Sequence, residues 1–150
     1  MKVLFVCTGN TCRSPMAERI FRDMLKKAED NNIMCLSAGL SAINGQPAAE
    51  NAIAVMEEIG IDLRDHSARR ITSEEIPMWD AYFTMSKTHA YILEQAGVPG
   101  DKIYVPGYID DPFGGDIDVY RACRDKLMAE VGEFYQKLRN YLDSMMGRRL

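Results

Sequence analysis

The sequence holds no apolar run long enough to enter a membrane, no lysine- or arginine-rich stretch, no internal repeat and no low-complexity segment. Each absence removes a class of function. A membrane span needs roughly 18 or more apolar residues. Met1-Lys2 followed by Val3–Val6 falls short even of the apolar region of a signal peptide, about 7–15 residues long. The expected location is therefore the cytoplasm, with no membrane partner. A formal net charge of −4 without a basic face argues against nucleic acid as a partner. The four cysteines, Cys7, Cys12, Cys35 and Cys123, include no Cys-x-x-Cys pair. Neither His66 nor His89 stands at zinc-ligand spacing from any of them. Reduced thiols are expected, with Cys35 and Cys123 packed in the core as small hydrophobes. With 150 residues and 47% of them apolar, the chain is expected to form one domain over residues 1–150.

What the sequence does contain is organised around Cys7-Thr8-Gly9-Asn10-Thr11-Cys12-Arg13-Ser14-Pro15. An apolar strand-like run, Lys2–Val6, precedes this stretch, and a helical pattern begins at Met16. Strand, tight polar loop and helix start together make an anion cradle, because backbone N–H groups and the helix dipole both favour negative charge there. Ser14 is expected to cap the helix and Pro15 to open it. Cys7 supplies a potential thiolate and Arg13 a planar fork of donors suited to phosphate oxygens. Only the thiolate attacks. The loop amides, the helix dipole, Arg13 and a Ser14 hydroxyl would all favour that ionised sulfur. Asn10 suits a turn, since it tolerates left-handed geometry, and its side chain is free to hold the loop's shape.

The rest of the chain alternates. After the first helix, ended by Asn31-Asn32, a strand is expected over Ile33–Ser37, stopped by Ala38-Gly39, and a loop over Ser41–Gln46. A helix is expected from Pro47 to Gly60, an irregular stretch over Ile61–Arg70, and a short helix capped by Thr72 or Ser73 and interrupted at Pro77. Then come a strand over Trp79–Met85, a helix from Ser86 to Ala96 stopped by Gly97, and a strand over Lys102–Val105. A Gly/Pro-rich loop over Pro106–Gly115 leads to a last helix from about Ile117 to Met145. Met145-Met146 and Arg148-Arg149 read as a frayed tail. The expected fold is α/β: a three-layer domain with a four-stranded parallel sheet and helices on both faces. Ligands in such sheets bind beyond the carboxyl ends of the strands, which brings Cys7 and the Pro106–Gly115 loop to one rim.

On that rim Asp111 stands before Pro112, which biases it towards an extended conformation. A phosphoryl group passing to sulfur leaves behind a group that needs a proton. Neighbouring Asp110 and a bound phosphate would both favour the protonated acid, and the same carboxyl then activates water against the phospho-cysteine. Taken alone, the segment reads first as an acidic turn; its position beyond the fourth strand, opposite Cys7, favours the catalytic reading.

Cys7-x5-Arg13-Ser14, Ser37-Ala38-Gly39 and Asp111-Pro112 together resemble the low-molecular-weight protein tyrosine phosphatases over essentially the whole length. The resemblance implies Cys7 as nucleophile, Arg13 as phosphate binder and Asp111 as general acid and base. It also implies substrate contacts along Thr8, Gly9, Asn10, Thr11, Cys12 and Ser14, with Asn10 and Ser14 supporting the loop and the sulfur. Phe113 would flank the substrate, His66 would brace the loop, and no metal or cofactor is implied. The expected partners are phosphorylated protein substrates of a monomeric enzyme. Two departures, Thr11 in place of the usual Ile and a lone aromatic Phe113 after Asp-Pro, are similar to the bacterial protein-arginine phosphatase branch, as is Ile117-Asp118-Val119-Tyr120. Thr and Ile are both β-branched, so the loop survives the exchange, but a hydroxyl accepts from a guanidinium and gains nothing from a phenol. Acidic Asp110 and Asp116 would also suit a cationic leaving group.

Phosphoarginine is thus the expected substrate, with phosphotyrosine the alternative. A thioredoxin-coupled arsenate reductase would need relay cysteines that Leu36–Ala122 lacks, and a non-enzymatic phosphoprotein-binding module would need neither the nucleophile Cys7 nor the acid Asp111. Cys12 either packs the loop or traps an oxidised Cys7 as a disulfide.

Overall fold

The N-terminal apolar run forms β1 (Lys2–Cys7), and its alternating side chains feed two separate cores. Val3, Phe5 and Cys7 face one side of the sheet, and Leu4 and Val6 the other, as the two-residue period of a strand requires. The computed structural model describes residues 1–148. It contains β1, α1 (Arg13–Lys27), β2 (Met34–Gly39), α2 (Glu50–Glu57), a 3-10 helix (Ser73–Met78), β3 (Ala81–Thr84), α3 (Lys87–Gln95), a short 3-10 turn (Gly100–Lys102), β4 (Ile103–Tyr104) and α4 (Ile117–Arg148).

The sheet is parallel throughout, in the order β2-β1-β3-β4. The first core lies against α1, α2 and α4. It centres on Phe5, Phe21, Phe83 and Phe134, whose rings meet at centroid distances of 5.2–6.0 Å. The second lies against α3 and joins Leu4, Val6, Trp79, Tyr82, Leu93 and Val98. The expected three-layer α/β architecture is therefore present. The chain passes from β1 to β2 on one side and then over to β3 on the other. The crevice at this reversal, beyond the strands' carboxyl ends, is where such sheets bind ligands. Cys7 ends β1 at that point.

Element boundaries shift from the sequence expectations for identifiable reasons. α1 begins at Arg13 with Cys12 in the cap position and no side-chain cap, because the Ser14 hydroxyl is engaged by Asn10 and Cys7 instead. β2 runs through Ala38-Gly39 rather than stopping there, since those residues pair with Val6 and Cys7. α2 starts at Glu50, after Pro47, because the Ala49 N–H donates to the Thr11 carbonyl and not into a helix. It ends before Gly60, which takes φ +77° while the Ile61 N–H returns to the Met56 carbonyl, closing the helix. Thr72 and Glu75 form the capping box of the 3-10 helix, which continues past Ile76 and accommodates Pro77. β3 starts two residues after Trp79, and β4 is only two residues long. Ser86 caps α3 as expected, its hydroxyl accepting the His89 N–H. α4 continues through Met145 and Met146 to Arg148; Arg149 lies outside the described residues. No described helix is long and apolar enough to cross a membrane.

Candidate active site

The loop between β1 and α1 is held in shape by Asn10, which sits at φ 56° and is fully buried. Its Oδ1 accepts the Arg69 N–H at 3.0 Å, so its Nδ2 is the donor, reaching Ser14 Oγ at 2.7 Å and Ser37 Oγ at 3.0 Å. Ser14 Oγ thus already accepts one hydrogen bond. Its own proton is available to Cys7 Sγ, 2.9 Å away. The Asn10 backbone N–H points to the same sulfur at 3.3 Å. Cys7 therefore faces two donors, the surroundings an ionised sulfur needs. The Ser37 hydroxyl donates to buried Glu18 Oε1 at 2.8 Å, and Glu18 Oε2 is held by Arg22 and Arg19. His66 Nε2 lies 2.7 Å from the Asn10 carbonyl, which only accepts, so Nε2 carries the proton. Burial pushes the His66 imidazole below its ordinary value and keeps the ring neutral.

Arg13 connects this loop to the one after β4. Its buried guanidinium donates from Nη1 to the Ile109 carbonyl at 3.1 Å and places Nη2 3.6 Å from Asp111 Oδ2. Asp111 Oδ1 accepts the Phe113 N–H at 3.1 Å, which aims the carboxylate back towards Arg13. Cys7, Arg13 and Asp111, spread over 105 positions of sequence, thus share one end of the sheet. The remaining predicted residues are placed unevenly around them. Thr8 is exposed, Gly9 and Thr11 are half-buried, and Cys12 and Ser14 are buried. Phe113 belongs to the Asp111 turn, but the residue is 77% exposed. Asp116, expected at the rim, caps α4 by accepting the Val119 N–H.

Cys12 Sγ lies 3.3 Å from the Tyr120 hydroxyl and 3.7 Å from Thr11 Oγ1, and burial pushes its thiol up. Cys35 and Cys123 are buried as expected, and their thiols are pushed up to about 12, chiefly by that burial. Among the described residues no group of three or more His, Cys, Asp or Glu is arranged to hold a metal ion.

Several contributors were not evident from sequence. Glu18 and Arg69 reach the loop only through side-chain and backbone bonds that depend on the fold. His89, on α3, places Nε2 2.9 Å from Thr8 Oγ1. Its only sequence signal is its place three residues after the Ser86 cap.

Comparison with known proteins agrees with this geometry. A family model described as low molecular weight phosphotyrosine protein phosphatase matches residues 2–143. A protein-arginine-phosphatase of Bacillus subtilis is 34% identical over 148 residues, covering 93% of this chain and 97% of that protein. The low molecular weight protein-tyrosine-phosphatase PtpB of Staphylococcus haemolyticus is 36% identical over 140 residues, covering 89% and 96%. Among solved structures, a mutant of the YwlE arginine phosphatase with a phosphorylated active-site serine superposes with TM-score 0.86 at 34% identity, over 93% of this chain and 96% of the other. With the cysteine loop, the Asp-Pro turn and the strand order all in place, and the match running almost end to end, the chain belongs to the low molecular weight phosphotyrosine protein phosphatase family.

Proposed function

We propose that the chain is a cysteine-dependent protein phosphatase that removes phosphoryl groups from arginine residues of phosphorylated proteins. The observation that carries the reading is the Cys7 sulfur, facing the Ser14 hydroxyl and the Asn10 amide in a loop closed by Arg13. The Cys7 thiolate attacks phosphorus and forms an S–P bond. The P–N bond to the guanidine breaks, and the Asp111 carboxyl gives its proton to the leaving nitrogen. Loop amides over Thr8–Cys12 and the Arg13 guanidinium stabilise the charge on the equatorial oxygens. Water then attacks phosphorus while the Asp111 carboxylate takes its proton. The S–P bond breaks, releasing inorganic phosphate and restoring the thiolate. The work this reading assigns to the enzyme is cytoplasmic.

Two features support arginine over tyrosine. Thr11 offers a hydroxyl where an apolar wall would suit a phenol, and relatives similar over nearly their full length are named protein-arginine-phosphatases. The second reading, phosphotyrosine, is favoured by the exposed Phe113 ring, able to stack on a phenol, and by the similarity to PtpB. Side-by-side kcat/KM on phosphoarginine and phosphotyrosine peptides decides between them. Higher values on phosphoarginine are expected, and equal or better turnover of phosphotyrosine would establish the second reading.

A further inference from the structure

Thr8 follows the nucleophile directly, yet the catalytic account above uses only its backbone. Its carbonyl is fixed by the Ser41 N–H at 2.9 Å, and its side chain, though exposed, is not free. His89 Nε2 stands 2.9 Å from Thr8 Oγ1, and His89 Nδ1 stands 3.2 Å from Ser86 Oγ. His89 is only 6% exposed, a buried titratable group that the phosphoryl-transfer steps leave unused.

The distances in this set fit two proton arrangements, one for each neutral tautomer of His89. Ser86 Oγ accepts the His89 backbone N–H as the cap of α3. Its own hydroxyl proton is then available for Nδ1. An imidazole accepting at Nδ1 carries its proton on Nε2. In that tautomer Nε2–H donates to Thr8 Oγ1 and leaves the Thr8 hydroxyl hydrogen for a ligand; in the other, Nδ1–H donates to Ser86 Oγ and the Thr8 hydroxyl donates to Nε2. The charged groups acting on His89 are Arg13, which disfavours a second proton on the ring, and Asp111, which favours one. Burial, reinforced by Arg13, outweighs Asp111 and holds the imidazole down to about 4, so the ring is neutral at neutral pH.

We propose that Ser86, His89 and Thr8 form an ordered hydrogen-bond relay that turns the Thr8 hydroxyl into a donor for a phosphoryl oxygen of the bound substrate, with His89 as the positioning residue. The inference rests on the phosphatase reading and deepens it. A guanidinium offers donors only, so an O–H donor at the mouth of the loop pairs with the phosphoryl group and not with the arginine side of the substrate. Thr8 thereby differs from Thr11: it serves phosphoryl binding whatever the leaving group, whereas Thr11 discriminates between leaving groups.

The test is a double-mutant cycle on Thr8→Val and His89→Ala, with His89→Gln as the conservative variant. Each is assayed on a phosphoarginine peptide and on p-nitrophenyl phosphate, and for binding of inorganic phosphate by calorimetry. Loss of a hydrogen bond to a charged group predicts that Thr8→Val lowers kcat/KM about tenfold on both substrates and weakens phosphate binding in parallel. His89→Ala should reproduce most of that loss, add less than about twofold to Thr8→Val, and be largely rescued in His89→Gln, which keeps a donor near Oγ1. Additive losses, or a Thr8→Val effect confined to one substrate or absent, would overturn the relay. Thr8→Val is nearly isosteric, so it decides the matter even where His89→Ala fails to fold. Absence of turnover by the unaltered protein would defeat the phosphatase reading instead, while the phosphate-binding arm would still judge Thr8.

Discussion

Gly39 approaches Thr8 so closely that a Cβ on Gly39 would lie 2.6 Å from the Thr8 carbonyl oxygen and 3.0 Å from the Asn10 nitrogen. Both are backbone atoms of the phosphate loop and cannot turn aside as a side chain would. Gly39→Ala is therefore expected to displace the loop. Its cost should fall in the ~1–3 kcal/mol range of overpacking, with kcat/KM reduced together with the melting temperature. Unchanged activity and stability would show that β2 is free to retreat from the loop.

The chemistry of transfer gives a sharper expectation. Cys7→Ser should abolish turnover of p-nitrophenyl phosphate. Asp111→Asn should lower kcat about 10²–10⁴-fold, the usual contribution of a positioned acid or base. Inorganic phosphate should still bind both variants, because Arg13 and the loop amides remain. An Asp111→Asn enzyme as fast as the original on a phosphoarginine peptide would assign the proton to another group.

Substrate choice is expected to turn on Thr11. Thr11→Ile keeps β-branching and removes the hydroxyl. The ratio of kcat/KM for phosphoarginine to that for phosphotyrosine should fall roughly tenfold to a hundredfold, as for loss of a hydrogen bond to a charged group. An unchanged ratio would remove Thr11 from specificity.

Acid stability offers an independent check. Burial lowers both His66 and His89, the latter to about 4. Unfolded imidazoles titrate near 6.5. As the pH falls below that value the unfolded chain binds protons before the folded one does. The contribution of the neutral His89 ring is thus complete above about pH 6.5 and is lost progressively towards about 4, and His66 acts in the same direction. His89 adds a slope of up to ~1.4 kcal/mol per pH unit. Urea midpoints measured across this window should fall more gently for His89→Gln than for the unaltered chain; parallel curves would show that His89 titrates alike folded and unfolded.

What could be read from sequence divides along physical lines. Cys7, Arg13 and Asn10 were legible because loop, strand end and helix start are contiguous, so local geometry alone brings them together. Asp111 was legible through strand alternation, which sends every strand-to-helix loop to the same rim. The Ser14 cap was misjudged because a hydroxyl suited to a helix end is equally suited to a sulfur, and the choice depends on Asn10's buried side chain. Ala38-Gly39 looked like a strand stop; the same smallness instead permits the contact with Thr8. His89 stayed hidden because its partner, Thr8, is 81 residues away. No local pattern encodes such a pairing.

The four sulfurs are all buried but not chemically equivalent. Cys12, Cys35 and Cys123 sit where burial keeps their hydrogens on. An alkylating reagent offered at neutral pH is therefore expected to meet these three as protonated, buried thiols.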